Sequence, residues 1–218
     1  MFFSREASDR EMMGRCIELS RIAVRKGEYP FAAVIAVDGK IVVEAINRRF
    51  RENDVTRHAE IVALSQAQKI LSRNDLRRGT LYSNIEPCAM CSYCIREAWV
   101  GRVVYALGSP IMGGMSKWNI LGDDSMSGRI PQIFGPVPQI VGGLLAPEAE
   151  LAWRDWNPFA WSMIKRLGLL KVPSTDGGCV RTRHGHRHWL WHELHKWLGR
   201  DGKVQVEGAV LDAPNPDL

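Results

Sequence analysis

Three of the chain's five cysteines, Cys88, Cys91 and Cys94, fall within seven residues. A disulfide framework spreads its cysteines along the chain, so a cluster this tight favours metal or redox chemistry. A proline precedes the first thiol, in Pro87-Cys88-Ala89-Met90-Cys91, and His58-Ala59-Glu60 lies upstream. Each motif alone is weak. His-x-Glu recurs by chance, and Cys-x-x-Cys serves redox enzymes and zinc sites alike. Together they constrain the fold, because both stand at helix starts with a helix and a strand between them. Repeating β-α units satisfy that spacing, since their helices open at one edge of the sheet.

The rest of the chain reads the same way. Ser8 and Glu11 form a capping-box signal, and Met12, Met13, Cys16, Leu19, Ile22 and Ala23 recur at helical spacing. They predict a helix over 9–26, ended by Gly27. Apolar 31–37 and 40–46 flank Asp38-Gly39, the pattern of a hairpin. A polar, basic loop over 47–57 leads to a helix over 58–72. A strand over 79–85, a helix over 88–99 and a strand over 101–107 follow, giving the order α-β-β-α-β-α-β. The stretch 108–135 is rich in Gly, Met, Ser and Pro, and a loop that long in a compact domain is functional or mobile. A fifth strand is expected over 139–145, then two helical stretches interrupted by Pro158 and ending near Leu167. Strands alternating with helices imply an α/β fold with a parallel or mixed sheet covered on both faces.

Two domains are expected, 1–170 and an extension, 171–218. The extension has a linker-like start at 174–178 and an unstructured end at 210–218. It carries five of the six histidines (His184, His186, His188, His192 and His195), with Trp189, Trp191 and Trp197 among them. Those residues read as a surface helix or a second metal site, and no role is assigned.

With 45% hydrophobic and 24% charged residues, the 218-residue chain can bury a core. The net charge of +5 is diffuse. It permits anionic partners without marking a nucleic-acid patch. No apolar run approaches the roughly 20 residues of a membrane span, and the first residues lack a signal peptide's pattern. A cytoplasmic protein is expected.

The chemistry follows from the donors. His58, Cys88 and Cys91 supply three zinc ligands and leave the fourth tetrahedral position for water, as a catalytic site requires. A helix N-terminus favours both cysteines as thiolates. Glu60, two residues from a ligand, can sit beside the metal without binding it and shuttle protons. Cys94 reads as a buried non-ligand. The rival reading is a zinc-stabilised binding module whose structural site Cys94 closes.

These motifs resemble the cytidine deaminase superfamily over about residues 9–167. Pro30-Phe31-Ala32-Ala33-Val34-Ile35, Asn47, His58-Ala59-Glu60 and Glu86-Pro87-Cys88-Ala89-Met90-Cys91 are most similar to the branch of guanine and tRNA adenosine deaminases. The resemblance implies a three-layer α/β/α sandwich with a five-stranded mixed sheet, in a homodimer. It implies zinc on His58, Cys88 and Cys91, Asn47 bonded to the substrate ring and the Ala59 N–H on a ring atom. Phe31 and Trp118 are candidate pocket walls. Gly122-Asp123-Asp124-Ser125 is similar to a guanine-deaminase stretch, with Asp124 the candidate second carboxylate and Asp123 its alternative. The segment from Trp156 to Trp161 resembles a closing segment that is often swapped between subunits. Arg48, Arg49, Arg51 and Arg57 keep a nucleic-acid reading open. Ala32 and the Gly-rich 110–116 depart from the branch. The expected activity is hydrolysis of a free base, foremost guanine to xanthine and ammonia. Cytosine, other amino-heterocycles and tRNA adenosine are the alternatives.

Overall fold

A computed structural model describes residues 5–172. The chain divides into units Met1–Thr182 and Arg183–Leu218, and the described residues belong to the first. The linker, the histidine cluster and the chain end lie outside the described residues.

Helix α1 (Arg5–Arg25) buries Met12, Met13, Cys16 and Leu19. Its start corrects the expected capping box, because Ser8 lies inside the helix. Arg5 and Glu6 are good helix formers, and Asp9 on the first turns is anchored to the sheet. Gly27, at φ +79, ends α1. Glu28 N bonds Ala23 O and Gly27 N bonds Val24 O, the pairing of a Schellman cap.

Strands β1 (Ala32–Val37) and β2 (Lys40–Ile46) form the expected hairpin. Asp38 and Gly39 both take positive φ, the type I′ turn that matches strand twist. Helix α2 (Ala59–Ala67) follows the polar loop. The next helix, α3 (Arg73–Arg78), is one the apolar periodicity does not predict, although Ser72 and Asp75 form a reciprocal capping box at its start. Strand β3 (Thr80–Ile85), helix α4 (Ala89–Glu97) and strand β4 (Arg102–Leu107) come next. The long loop contains one short helix, α5 (Asp124–Arg129). Strand β5 (Gln139–Gly142), α6 (Ala146–Trp156) and α7 (Pro158–Arg166) complete the domain.

The sheet order is β2-β1-β3-β4-β5. Strand β1 is antiparallel to β2 and β3, while β3, β4 and β5 are parallel. This is the expected mixed sheet. Ala32, Val34, Tyr82 and Val104 face α1, α6 and α7. Ala33, Ile35, Leu81 and Val103 face α2, α3 and α4. The period-2 alternation of these strands therefore builds three layers. Buried Asp9 ties α1 to the sheet, accepting two 2.7 Å bonds from Arg102 and one from the Tyr82 hydroxyl.

This topology positions the site. Strands β2 and β3 run the same way, so the loop after β2 and the turn after β3 emerge at one edge. His58 and Cys88 are the N-caps of the two helices that begin there.

Candidate active site

His58 Nδ1 lies 3.5 Å from both Cys88 Sγ and Cys91 Sγ, and the two sulfurs are 3.4 Å apart. Among the described residues, these three form the group whose ligand atoms lie within 4.8 Å of one another. As N-caps, His58 and Cys88 project ahead of their helices, and Cys91 follows in the first turn of α4. Tetrahedral zinc with these donors has edges of about 3.5 to 3.8 Å, so the set fits the ion.

The electrostatics agree. A hydrogen bond from Cys91 draws the Cys88 thiol down to about 4, against the cost of burial and with help from His58. The same contact, together with burial and the Glu60 charge, pushes Cys91 up. Two adjacent thiols cannot both ionise easily without a cation between them, and a bound divalent ion supplies it. Cys94 lies one turn further along α4, outside the group, so among the described residues no fourth cysteine closes the site.

Glu60 sits in the first turn of α2, 6% exposed. Its Oε1 accepts a 3.0 Å bond from the Ser83 hydroxyl, and its Oε2 lies 3.6 Å from Cys91 Sγ. Burial raises its carboxyl above the usual range, with the Cys88 charge adding to the shift. Ala59 is the first residue of α2 and fully buried, and a backbone N–H at that position has no partner within its own helix.

Asn47 follows β2 and is buried. Its backbone N–H bonds Phe31 O, which places both residues at the same edge. Its Nδ2 donates 2.8 Å to Oε2 of Glu28. Glu28 escaped the sequence reading, since nothing marks a lone carboxylate after a helix-ending glycine as buried. Phe31 is half-buried, edge-on to Trp153 at 5.1 Å.

The glycine-rich segment closes over the cysteine helix. Buried Glu86 accepts bonds from the backbone N–H groups of Ser109, Met115 and Ser116 and from the Ser116 hydroxyl. Gly114 N bonds Pro87 O, and a Cβ on Gly113 or Gly114 would overlap Glu86 or Ser92. Arg96, also buried, donates to the carbonyls of Ile120 and Asp123 and to Ser127. The loop is thus an anchored wall built on Glu86, which the sequence marks only as the start of the cysteine motif, and on Arg96, which it does not mark.

The remaining candidates are spread more widely. Trp118 is 58% exposed, with the Lys117 ammonium 5.6 Å from its ring centre. Asp123 caps α5 by accepting from Ser125 N, and Asp124, the first residue of that helix, is exposed. Trp161 belongs to the core on the α1 face, and its indole N–H donates to Glu150. Arg48 pairs with Glu52, and Arg57 with Glu52 and Asp54.

The model of the cytidine and deoxycytidylate deaminase zinc-binding region matches residues 6–107. The chain is 31% identical over 140 residues to the tRNA-specific adenosine deaminase of Bacillus subtilis (strain 168), covering 63% of this chain and 86% of that protein. It is 33% identical over 144 residues to the tRNA(Ile)-lysidine synthase of Deinococcus deserti. That match covers 66% of this chain but 26% of the synthase, so the chain spans about a quarter of that relative. Among solved structures, a variant of the protein NE0047 in complex with 8-azaguanine superposes with a TM-score of 0.57 at 26% identity. It covers 69% of this chain and 84% of that one.

Proposed function

The chain belongs to the cytidine and deoxycytidylate deaminase zinc-binding family, and from that premise we propose that it hydrolyses the amino group of a free purine-like base, foremost guanine. As a member of that family it is a hydrolase acting on the C–N bond of a cyclic amidine.

Zinc held by His58, Cys88 and Cys91 supplies Lewis-acid activation of water, whose pKa it lowers toward about 7. In this reading Glu60 takes a proton from the attacking water and delivers it to the ring nitrogen beside the amino-bearing carbon. For guanine, the oxygen adds at C2 and N3 is protonated. Glu60 then carries the second water proton to the departing amine. One water is consumed, the C–N bond breaks, and xanthine and ammonia leave. Asn47 and the Ala59 N–H hold the ring, and Phe31 forms a wall against which a planar base packs. Asp124 and Trp118 belong to this reading as residues of the neighbouring loop.

The observation that carries a free base over RNA is the pairing of Arg48 and Arg57 with Glu52 and Asp54. Two of the four arginines beside Asn47 are thereby committed to their own loop, which weakens a phosphate-binding face. The structure solved with 8-azaguanine supports a purine. The second reading, tRNA adenosine deamination, is favoured by the 31% identity to the Bacillus enzyme. A homodimeric, cytoplasmic enzyme completes the proposal. Among the described residues, no helix is long and apolar enough to cross a membrane. Ammonia release from free bases, run beside inosine formation in an anticodon stem-loop, separates the two substrates.

A further inference from the structure

The Glu28 side chain is 1% exposed at the end of α1. Its Oε1 accepts a 2.8 Å bond from Arg51 N, and its Oε2 accepts from Phe50 N and from Asn47 Nδ2. Every one of these contacts is an N–H donor, the environment of a carboxylate. An asparagine amide is nearly symmetric in shape, so its neighbours decide which end faces where. A carboxylate offers acceptors only. Turning the amide over would set Oδ1 against Oε2, two acceptors in contact.

We infer that Glu28 is a positioning residue that fixes the Asn47 amide, leaving Oδ1 as the atom that reads the substrate. This rests on the proposed role of Asn47 and deepens it. An Asn47 held this way accepts from an N–H on the base edge and opposes a bare ring nitrogen, whose lone pair would meet its own. The substrate class is a base that carries a ring or lactam N–H there, as guanine does. Glu28 also holds the first residues of the arginine loop, so one carboxylate sets both the amide and the loop beside it.

The test is a pair of variants, measured on whichever substrate the zinc-loaded protein turns over best. Glu28→Gln offers Asn47 a donor as readily as an acceptor, which frees the amide to turn. KM should rise about tenfold, with kcat changed less than about threefold. Combining Glu28→Gln with Asn47→Asp swaps the pair. The introduced glutamine then donates to the introduced aspartate, whose other oxygen stays an acceptor toward the substrate. The swapped protein should regain most of the lost KM, and on an Asn47→Ala background Glu28→Gln should have little further effect. Zinc content and melting temperature report folding in each variant. A swap no better than Glu28→Gln alone, with additive effects on the Asn47→Ala background, overturns the inference. Best turnover on the RNA stem-loop would instead count against the free-base reading, and the coupling on that substrate would still decide the role of Glu28.

Discussion

Ser83, in the middle of β3, donates a 3.0 Å hydrogen bond from its hydroxyl to Oε1 of Glu60 in the first turn of α2. Both side chains are buried, and the bond fixes one carboxylate oxygen. Oε2 is left facing the sulfur of Cys91. In the proposed reaction Glu60 moves two protons in turn, so its aim matters at both steps. Ser83→Ala should lower kcat about tenfold, from the loss of one charge-assisted hydrogen bond of about 1.5 kcal/mol, and leave KM and zinc content near wild type. Ser83→Thr keeps the hydroxyl and should recover most of the rate. Steady-state kinetics on the two variants checks this.

Glu60→Gln keeps the shape and removes the proton carrier. Turnover should fall by a factor of about 100 to 10,000, while zinc measured by metal analysis stays at one per chain. Cys94→Ser should retain zinc, since Cys94 lies outside the ligand group. Zinc loss in Cys94→Ser, or unaltered turnover in Glu60→Gln, contradicts the assignment.

The longer helices, the mixed sheet and the metal donors are readable in the sequence because each leaves a periodic or spaced signal. Asp38-Gly39 announces its own turn, and the His58, Cys88 and Cys91 spacing announces the sheet edge. Ser8 misleads because a capping pattern inside a helix looks the same as one at its start. The short α3 is marked by Ser72 and Asp75 but carries only Leu76 as a buried residue, too little apolar periodicity to stand out. Glu28, Ser83, Glu86 and Arg96 are illegible for another reason. Their roles come from partners 19 to 39 residues away along the chain. Such pairings arise from topology and leave no local pattern.

The ion pair in which Arg102 donates to Asp9 predicts an acid-sensitive part of the stability. Burial opposes ionisation of Asp9, but hydrogen bonds from Arg102 and Tyr82 outweigh it and hold the carboxyl below its ordinary 3.8. A carboxyl depressed in the folded state stabilises above its unfolded value and loses that contribution as pH falls through the folded one. Asp9→Ala should cost about 3 to 5 kcal/mol at pH 7, because it strands a buried guanidinium. The gap between variant and wild type should narrow below about pH 4. Thermal melts across pH 3 to 7 check the sign.

Gly113 lies against the Glu86 carboxylate, with no room for a Cβ. Gly113→Ala should destabilise the protein by about 1 to 3 kcal/mol through overpacking and lower kcat/KM as the wall over the cysteine helix shifts. Gly128→Ala, where nothing lies within 4 Å of the added atom, is the control and should melt like wild type.

A zinc-dependent deaminase of a free purine-like base releases ammonia from that base. The most direct measurement is ammonia release by the zinc-loaded protein over guanine, cytosine, ammeline, adenine and a pterin, with inosine formation in an anticodon stem-loop followed in parallel. Guanine should turn over faster than the other bases, with turnover abolished by chelation and restored by added zinc. No ammonia from any free base, with inosine formed in the stem-loop, would contradict the free-base reading.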